Sequence, residues 1–177
     1  IISLHEIAPI AEVVEDGATP EANAKKKAFH VAQASGLIAL ADDSGLEVDA
    51  LGGSPGVYSA RFAGEGAGDD ANNRKLLALL SEVPAPRRTA RFRCALALAL
   101  PGGCNISQAH VEHGVCEGQI GFIPRGNNGF GYDPLFIPQG GTRTMAELSA
   151  DEKNHISHRA RATQQMREYI LSNFGQK

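Results

Sequence analysis

The sequence predicts an α/β fold, and three observations carry that prediction. Thr19-Pro20-Glu21 opens a helix, with a hydroxyl at the cap, a proline at the first helical position and an acid in the first turn. The short apolar run Leu37-Ile38-Ala39-Leu40 reads as a buried strand, and Thr89 to Leu100 alternates with the period of a strand. Ser149-Ala150-Asp151-Glu152 has the spacing of a capping box, which starts further helical structure near the end of the chain. At 177 residues and 42% apolar content the chain has the material for a core, and no linker, repeat or low-complexity tract divides it, so residues 1–177 are expected to form a single domain.

Taken in order, Ile1 to Val14 has no clean period and reads as a strand or extended segment followed by a loop. The first helix runs to Ser35 and stops at Gly36, with Ala24, Ala28, Val31 and Ala32 as its apolar stripe. Asn23 and Lys27 are four apart and share another face, which on ordinary exposure grounds is solvated. The strand at 37–40 is expected to end at Asp42-Asp43, with Ser44-Gly45 beginning a turn. Leu51 to Arg61, with three glycines and a proline, is a loop of tight turns, and ordered loops of that length tend to be functional.

Asp69 to Ser81 forms the next helix, acidic at its start and apolar at Leu76, Leu77 and Leu80. In the alternating strand Phe92, Cys94, Leu96, Leu98 and Leu100 share one face, while Arg91, Arg93 and alanines share the other. Pro101-Gly102-Gly103 turns it into an antiparallel partner over about Gln108 to Ile120. His110 and His113 then fall on opposite faces, a poor metal pair with structural roles. Gly126 to Pro134 is a second glycine-dense loop, and its Phe130 and Tyr132 either pack on the core or stack on a ligand. The last helix covers about Arg159 to Phe174, with Ala162, Met166, Tyr169, Ile170 and Phe174 as its stripe.

Composition excludes several classes of function. A net charge of −3 and a pI near 6.1 give no basic field to grip a polynucleotide. The longest apolar run, Cys94 to Leu100, is too short for a membrane helix. Three cysteines without CxxC spacing suggest neither a disulfide framework nor zinc, and a reducing cytoplasm is the expected location. The acids lack the alternation of an EF-hand loop.

Two places carry chemistry. Adjacent carboxylates at the end of a strand form either a solvated turn or a site for a hard cation such as Mg²⁺, which takes one or two carboxylates together with substrate phosphates. Ser157-His158-Arg159 places cations at a helix N-terminus, against the macrodipole, where a ligand rich in acceptors would offset the cost.

Five motifs in order give a more specific reading. They are Asn23-Ala24-Lys25-Lys26-Lys27-Ala28, Ala41-Asp42-Asp43-Ser44-Gly45-Leu46 and Leu51-Gly52-Gly53-Ser54-Pro55-Gly56-Val57-Tyr58-Ser59-Ala60-Arg61. Gly129-Phe130-Gly131-Tyr132-Asp133-Pro134 and Glu152-Lys153-Asn154-His155-Ile156-Ser157-His158-Arg159 complete the set. With them the chain resembles the inosine triphosphate pyrophosphatase (Ham1-type) family of non-canonical purine nucleoside triphosphate pyrophosphatases, from Glu15 to the last helix. The resemblance implies a two-lobed fold, of the anticodon-binding or Maf-like kind, around a long mixed twisted β-sheet. It implies Mg²⁺-dependent hydrolysis of ITP, dITP and XTP to monophosphate and pyrophosphate by a homodimer that cleanses the nucleotide pool.

Residue by residue, the resemblance makes Asp43 the active-site base or metal-bound carboxylate, with Asp42 and Glu15 as its metal partners. Lys27 is similar to the lysine that contacts phosphate or orients the attacking water. Ser44 and Gly131 fall in substrate-binding motifs, Phe130 would stack on the base, Tyr132 would line the pocket, and Asp133 and Lys153 would lie near base or sugar. Ser157, His158 and Arg159 would read the 6-oxo purine. Pro20 and Ala22 depart from the family pattern, and nothing in Ile1 to Val14 matches its phosphate-binding loop. The expectation is therefore an N-terminally truncated member with impaired turnover. The alternatives are a nucleotide-binding fragment without efficient turnover and a Maf-type nucleotide pyrophosphatase, the latter disfavoured by the Phe-Gly-Tyr-Asp and Ser-His-Arg motifs.

Overall fold

The computed structural model of the chain describes residues 1–7 and 9–175. Ahead of the first helix it contains, among those residues, one 3₁₀ turn at Leu4–Glu6 and no strand. Of the two readings of Ile1 to Val14, strand or extended segment, the strand is thus absent among the described residues. Ile1, Ile2, Leu4 and Val14 all lie exposed, so no period of apolar side chains fixes that segment against a core.

Helix α1, Pro20–Ser35, has the predicted bounds. Thr19 Oγ1 accepts the Ala22 N–H at 3.2 Å, and Gly36 takes a left-handed conformation at φ 69° and donates its N–H to the Ala32 carbonyl. Ala24, Ala28 and Ala32 are fully buried against Ala39, Ala95, Ala97 and Ala99, and these small side chains let the helix lie close on the sheet.

The main departure from the sequence reading is strand β1, Ala39–Val48, which runs through Asp42-Asp43-Ser44-Gly45 instead of turning there. Its pairing with β3, Thr89–Ala99, is unbroken from Ala39↔Ala99 to Val48↔Ala90. Gly45 serves close approach and not a turn: a Cβ there would overlap the carbonyl oxygen of Gly56 in the short strand β2, Pro55–Gly56. Helix α2, Gly68–Leu79, buries Leu76 and also Asn72 and Asn73. Asn72 accepts from the Ala63 N–H at 2.7 Å and donates to the Ala60 carbonyl, tying down the loop that follows β2.

β3 turns into β4, His110–Ile120, and β4 pairs with β5, Phe136–Pro138. The sheet order is β2-β1-β3-β4-β5, and every pairing among the described residues is antiparallel, where the resemblance implied a mixed sheet. Helices α3, Ala150–Ile156, and α4, His158–Phe174, follow, separated by Ser157.

Alternation along β1, β3 and β4 sorts the molecule into two faces. The odd-numbered residues of β1 and β3 meet α1, through the alanine cluster. The even-numbered ones face the larger core of Leu46, Val48, Phe92, Cys116, Ile120, Leu135 and Phe136, with α4 on the same side. Gly114 permits α4 to cross β4, because a Cβ at that position would overlap the His158 carbonyl oxygen. His110 and His113 do point to opposite faces: His110 stacks on Tyr169 of α4, and His113 approaches Glu21 of α1. Of the α4 stripe, Ala162 and Met166 are buried, while Phe174 stays exposed beside a cleft of about 990 Å³ that Ile170 and the first residues of the chain also line.

Candidate active site

Two clusters of polar side chains lie on opposite faces of β1, and the adjacent residues Asp42 and Asp43 each belong to one. On the α1 face, Asp43 accepts a hydrogen bond from Asn23 Nδ2 at 3.0 Å, and Lys27 Nζ lies 3.5 Å from its other oxygen. The same Lys27 Nζ is 3.0 Å from Glu15 Oε1. Helical spacing brings Asn23 and Lys27 to one side of α1, as the sequence predicts, but Asn23 is buried and not solvated. Its Oδ1 accepts the Gly17 N–H at 2.8 Å, so one amide ties the loop carrying Glu15 to the strand carrying Asp43. Arg61 adds a hydrogen bond to the Glu15 carbonyl. The Asp43 carboxyl is pushed above its ordinary range, first by burial and further by the nearby Glu15 charge, while Asn23 and Lys27 pull it back.

On the α4 face the cluster is built around Phe130, a residue 59% exposed although it sits in an ordered loop. Lys153 Nζ lies 4.8 Å from its ring centroid and the Arg159 guanidinium carbon 5.1 Å, so two cations share one aromatic ring. Each cation is held by a carboxylate. Asp133, itself buried, pairs with Lys153 and accepts the Phe130 N–H at 2.9 Å, which fixes loop and lysine together. Asp42 Oδ2 accepts from Arg159 Nε at 2.8 Å and from Ser44 Oγ at 3.0 Å. The loop is anchored further by Gly131, whose N–H donates to Asp69 at 2.6 Å and whose carbonyl accepts from Asn73. The capping box at Ser149 and Glu152 starts α3 and thereby places Lys153.

His158 is buried and stacks on Phe92, with ring centroids 4.9 Å apart. Burial, with Arg159 and Lys153 nearby, pushes its pKa down to about 3, so the ring is neutral. Its Nδ1 is buried without a hydrogen-bond partner among the described residues, an unmet donor or acceptor next to the cation pair.

Three predicted site residues take other places. Asp42 does not join Asp43 and Glu15, because the pleat of an unbroken strand sends adjacent side chains to opposite faces. Tyr132, expected to line the pocket, is instead buried in the large core, and its hydroxyl donates to the Ser59 carbonyl at 2.8 Å. Ser157 is buried at the α3–α4 junction, where its Oγ caps α4 by accepting the Ala160 N–H at 3.1 Å. Asn23, expected on a solvated face, and Asn73, which the sequence does not single out, are both buried. Their signal was an amide beside the apolar stripe of a helix, which spacing alone does not separate from surface.

Among the described residues no three His, Cys, Asp or Glu side chains gather as a metal cluster. No described helix is long and apolar enough to cross a membrane.

Comparison with known proteins matches residues 1–169 to the model of the Ham1 family. The chain is 52% identical to a dITP/XTP pyrophosphatase of Desulforamulus reducens over 96% of its own length and 83% of that protein. It is 58% identical to a dITP/XTP pyrophosphatase of Syntrophobacter fumaroxidans over 90% of its own length, spanning 66% of that relative. Its structure superimposes on that of a HAM1 protein from Coxiella burnetii with a TM-score of 0.85 at 44% identity, covering 92% of this chain and 82% of the other.

Proposed function

The chain belongs to the Ham1 family, and from that premise we propose that it hydrolyses non-canonical purine nucleoside triphosphates, dITP, ITP and XTP, to the monophosphate and pyrophosphate. The observation that carries this reading is the convergence of Glu15 and Asp43 on Lys27 Nζ, on the strand whose neighbouring residue Asp42 holds Arg159 at the Phe130 ring.

The α1 face takes the phosphate chain. Lys27 places a positive charge where a triphosphate needs neutralising, and Asn23 orients the carboxylate that faces it. Asp43, with its affinity for protons raised by burial, accepts the proton of a water as the water oxygen bonds to the α-phosphorus. The bond from that phosphorus to the bridging oxygen breaks, and pyrophosphate leaves with the electron pair. No covalent intermediate is needed.

Glu15 and Asp43 also fit a divalent cation, Mg²⁺ in our reading. They are two hard carboxylates near enough for the charge of one to raise the pKa of the other, and a small cation that keeps substrate phosphates as its remaining ligands needs no more than two. When bound there the ion supplies charge neutralisation on the phosphate oxygens.

The α4 face takes the base. Phe130 offers an exposed ring for stacking, Arg159 and Lys153 offer donors over it, and the neutral His158, next to Arg159 in the chain, keeps a buried Nδ1 with no partner among the described residues. A 6-oxo purine accepts from such donors, whereas adenine presents an amine and leaves buried donors unpaired. The test is pyrophosphate release from ITP, XTP, ATP and GTP, each with and without Mg²⁺. Release from ITP and XTP at least about tenfold faster than from ATP is expected, the scale of one lost buried hydrogen bond. Equal release from ITP and ATP would sink the proposal.

A further inference from the structure

We propose that Asp42 is a positioning residue for base recognition, acting by holding the Arg159 guanidinium at the face of Phe130. The inference rests on the reading that the α4 face takes a 6-oxo purine. Strand alternation turns the Asp42 carboxylate away from the face that carries Glu15, Lys27 and Asp43. On its own face, one oxygen takes both the Arg159 Nε–H at 2.8 Å and the Ser44 hydroxyl at 3.0 Å. Binding through Nε leaves the terminal nitrogens of Arg159 without a hydrogen-bond partner among the described residues, so they are available to a ligand's acceptors.

The arrangement repeats one already present at the same ring. Asp133 holds Lys153 beside Phe130 as Asp42 holds Arg159 there. Two cations within about 5 Å of one ring repel each other, and at an exposed site an arginine would otherwise swing into water. A carboxylate behind each cation offsets that repulsion and selects one rotamer. The consecutive Asp42-Asp43 therefore serves two faces of one strand: Asp43 the reacting phosphate, Asp42 the base.

The test uses the full chain with Asp42→Ala, Asp42→Asn, Arg159→Ala and the double variant Asp42→Ala/Arg159→Ala. KM and kcat are measured for ITP and ATP, the Mg²⁺ concentration for half-maximal rate is titrated, and IMP and AMP binding is followed by calorimetry. Loss of a charge-assisted hydrogen bond predicts that Asp42→Ala weakens IMP binding and raises the ITP KM by roughly tenfold, more than it lowers kcat. Asn retains one oxygen for Nε, so Asp42→Asn recovers part of the loss and guards against a fold defect in the alanine variant. Because Asp42 acts through Arg159, the double variant binds IMP no more weakly than Arg159→Ala alone.

Additive losses in the double variant, or a roughly tenfold rise in the Mg²⁺ requirement of Asp42→Asn with unchanged ITP-over-ATP preference, would overturn the assignment. A parent protein that bound IMP no better than AMP would overturn the base-site reading itself, whatever Asp42 does.

Discussion

The two faces of β1 carry their charges differently. On the α1 face the side chains of Glu15, Lys27 and Asp43 are 36%, 23% and 13% exposed, a graded cluster open to water. On the α4 face the organising carboxylate Asp133 is 4% exposed, and the lysine it holds reaches out to the Phe130 ring. The packing beneath differs in the same sense, with alanines under α1 and large aliphatic and aromatic side chains on the other side. In the proposed reading the α1 face takes phosphate, which needs access for water and an ion, and the α4 face takes the base, where Asp133 is buried against a deep core while the Asp42–Arg159 pair stays partly exposed.

The sharpest way to break the comparison is Asp43→Asn, which keeps the shape and removes the proton acceptor. Turnover of ITP is expected to fall by at least ~10²-fold, the usual scale for loss of a general base, while IMP binding on the other face stays close to that of the parent. Single-turnover kinetics beside calorimetry on IMP would check it. If turnover and IMP binding fell together, the two faces would not be separate devices.

A second test addresses the buried histidine of the α4 face. His158 takes a proton only near pH 3, whereas an unfolded histidine takes one near 6.5. Between those values the unfolded chain binds the extra proton, so His158 costs the fold nothing above pH 6.5 and lowers its stability as pH falls through the window. The contribution at its steepest is ~1.4 kcal/mol per pH unit for one proton. Asp43, raised in the folded state, works in the opposite sense, with stability lost as pH rises through its folded value, but it is common to parent and variant and cancels in their difference. Urea midpoints of the parent and His158→Gln from pH 7 to 4 should therefore diverge on the acid side, the variant falling less. Parallel curves would mean that His158 titrates normally and is not buried against Phe92.

How much of this was legible depends on whether the deciding contact was local. Helix α1 was read to the residue because Thr19, Pro20 and Gly36 decide its ends within a few bonds of themselves. The capping box at Ser149 and the alternation of β3 were local in the same way. Asp42-Asp43-Ser44-Gly45 was misread because its residue types suit a turn, and what makes it a strand lies elsewhere: β3 pairs with all of it, and Gly56 presses against Gly45. The motifs led to Phe130, Asp133, Lys153 and Arg159, which the fold gathers at one ring. They could not reveal that Arg159 leans on a carboxylate 117 residues earlier, nor that Tyr132 turns inward to Ser59.

The smallest expected effect is also the finest test of which face takes phosphate. Lys25, Lys26 and Lys27 are consecutive on α1, and at about 100° per residue they point in three directions. Lys25 pairs with Glu21 at 2.6 Å one turn back on its own helix, and Lys26 with the exposed Asp16 at 2.7 Å. Lys27 alone of the three reaches the carboxylates of the site, Glu15 and Asp43. Surface pairs of the first two kinds contribute little, so Lys25→Ala and Lys26→Ala should keep kcat/KM for ITP within about twofold of the parent. Lys27→Ala loses far more, and in the rate of the chemical step as well as in KM. Measuring the three variants side by side at two ionic strengths separates a local role from a general field of positive charge: a general field would weaken all three alike and fade together with salt. If Lys26→Ala cost as much as Lys27→Ala, the triphosphate would have to run along the outer side of α1, and the assignment of Glu15, Lys27 and Asp43 to it would fail.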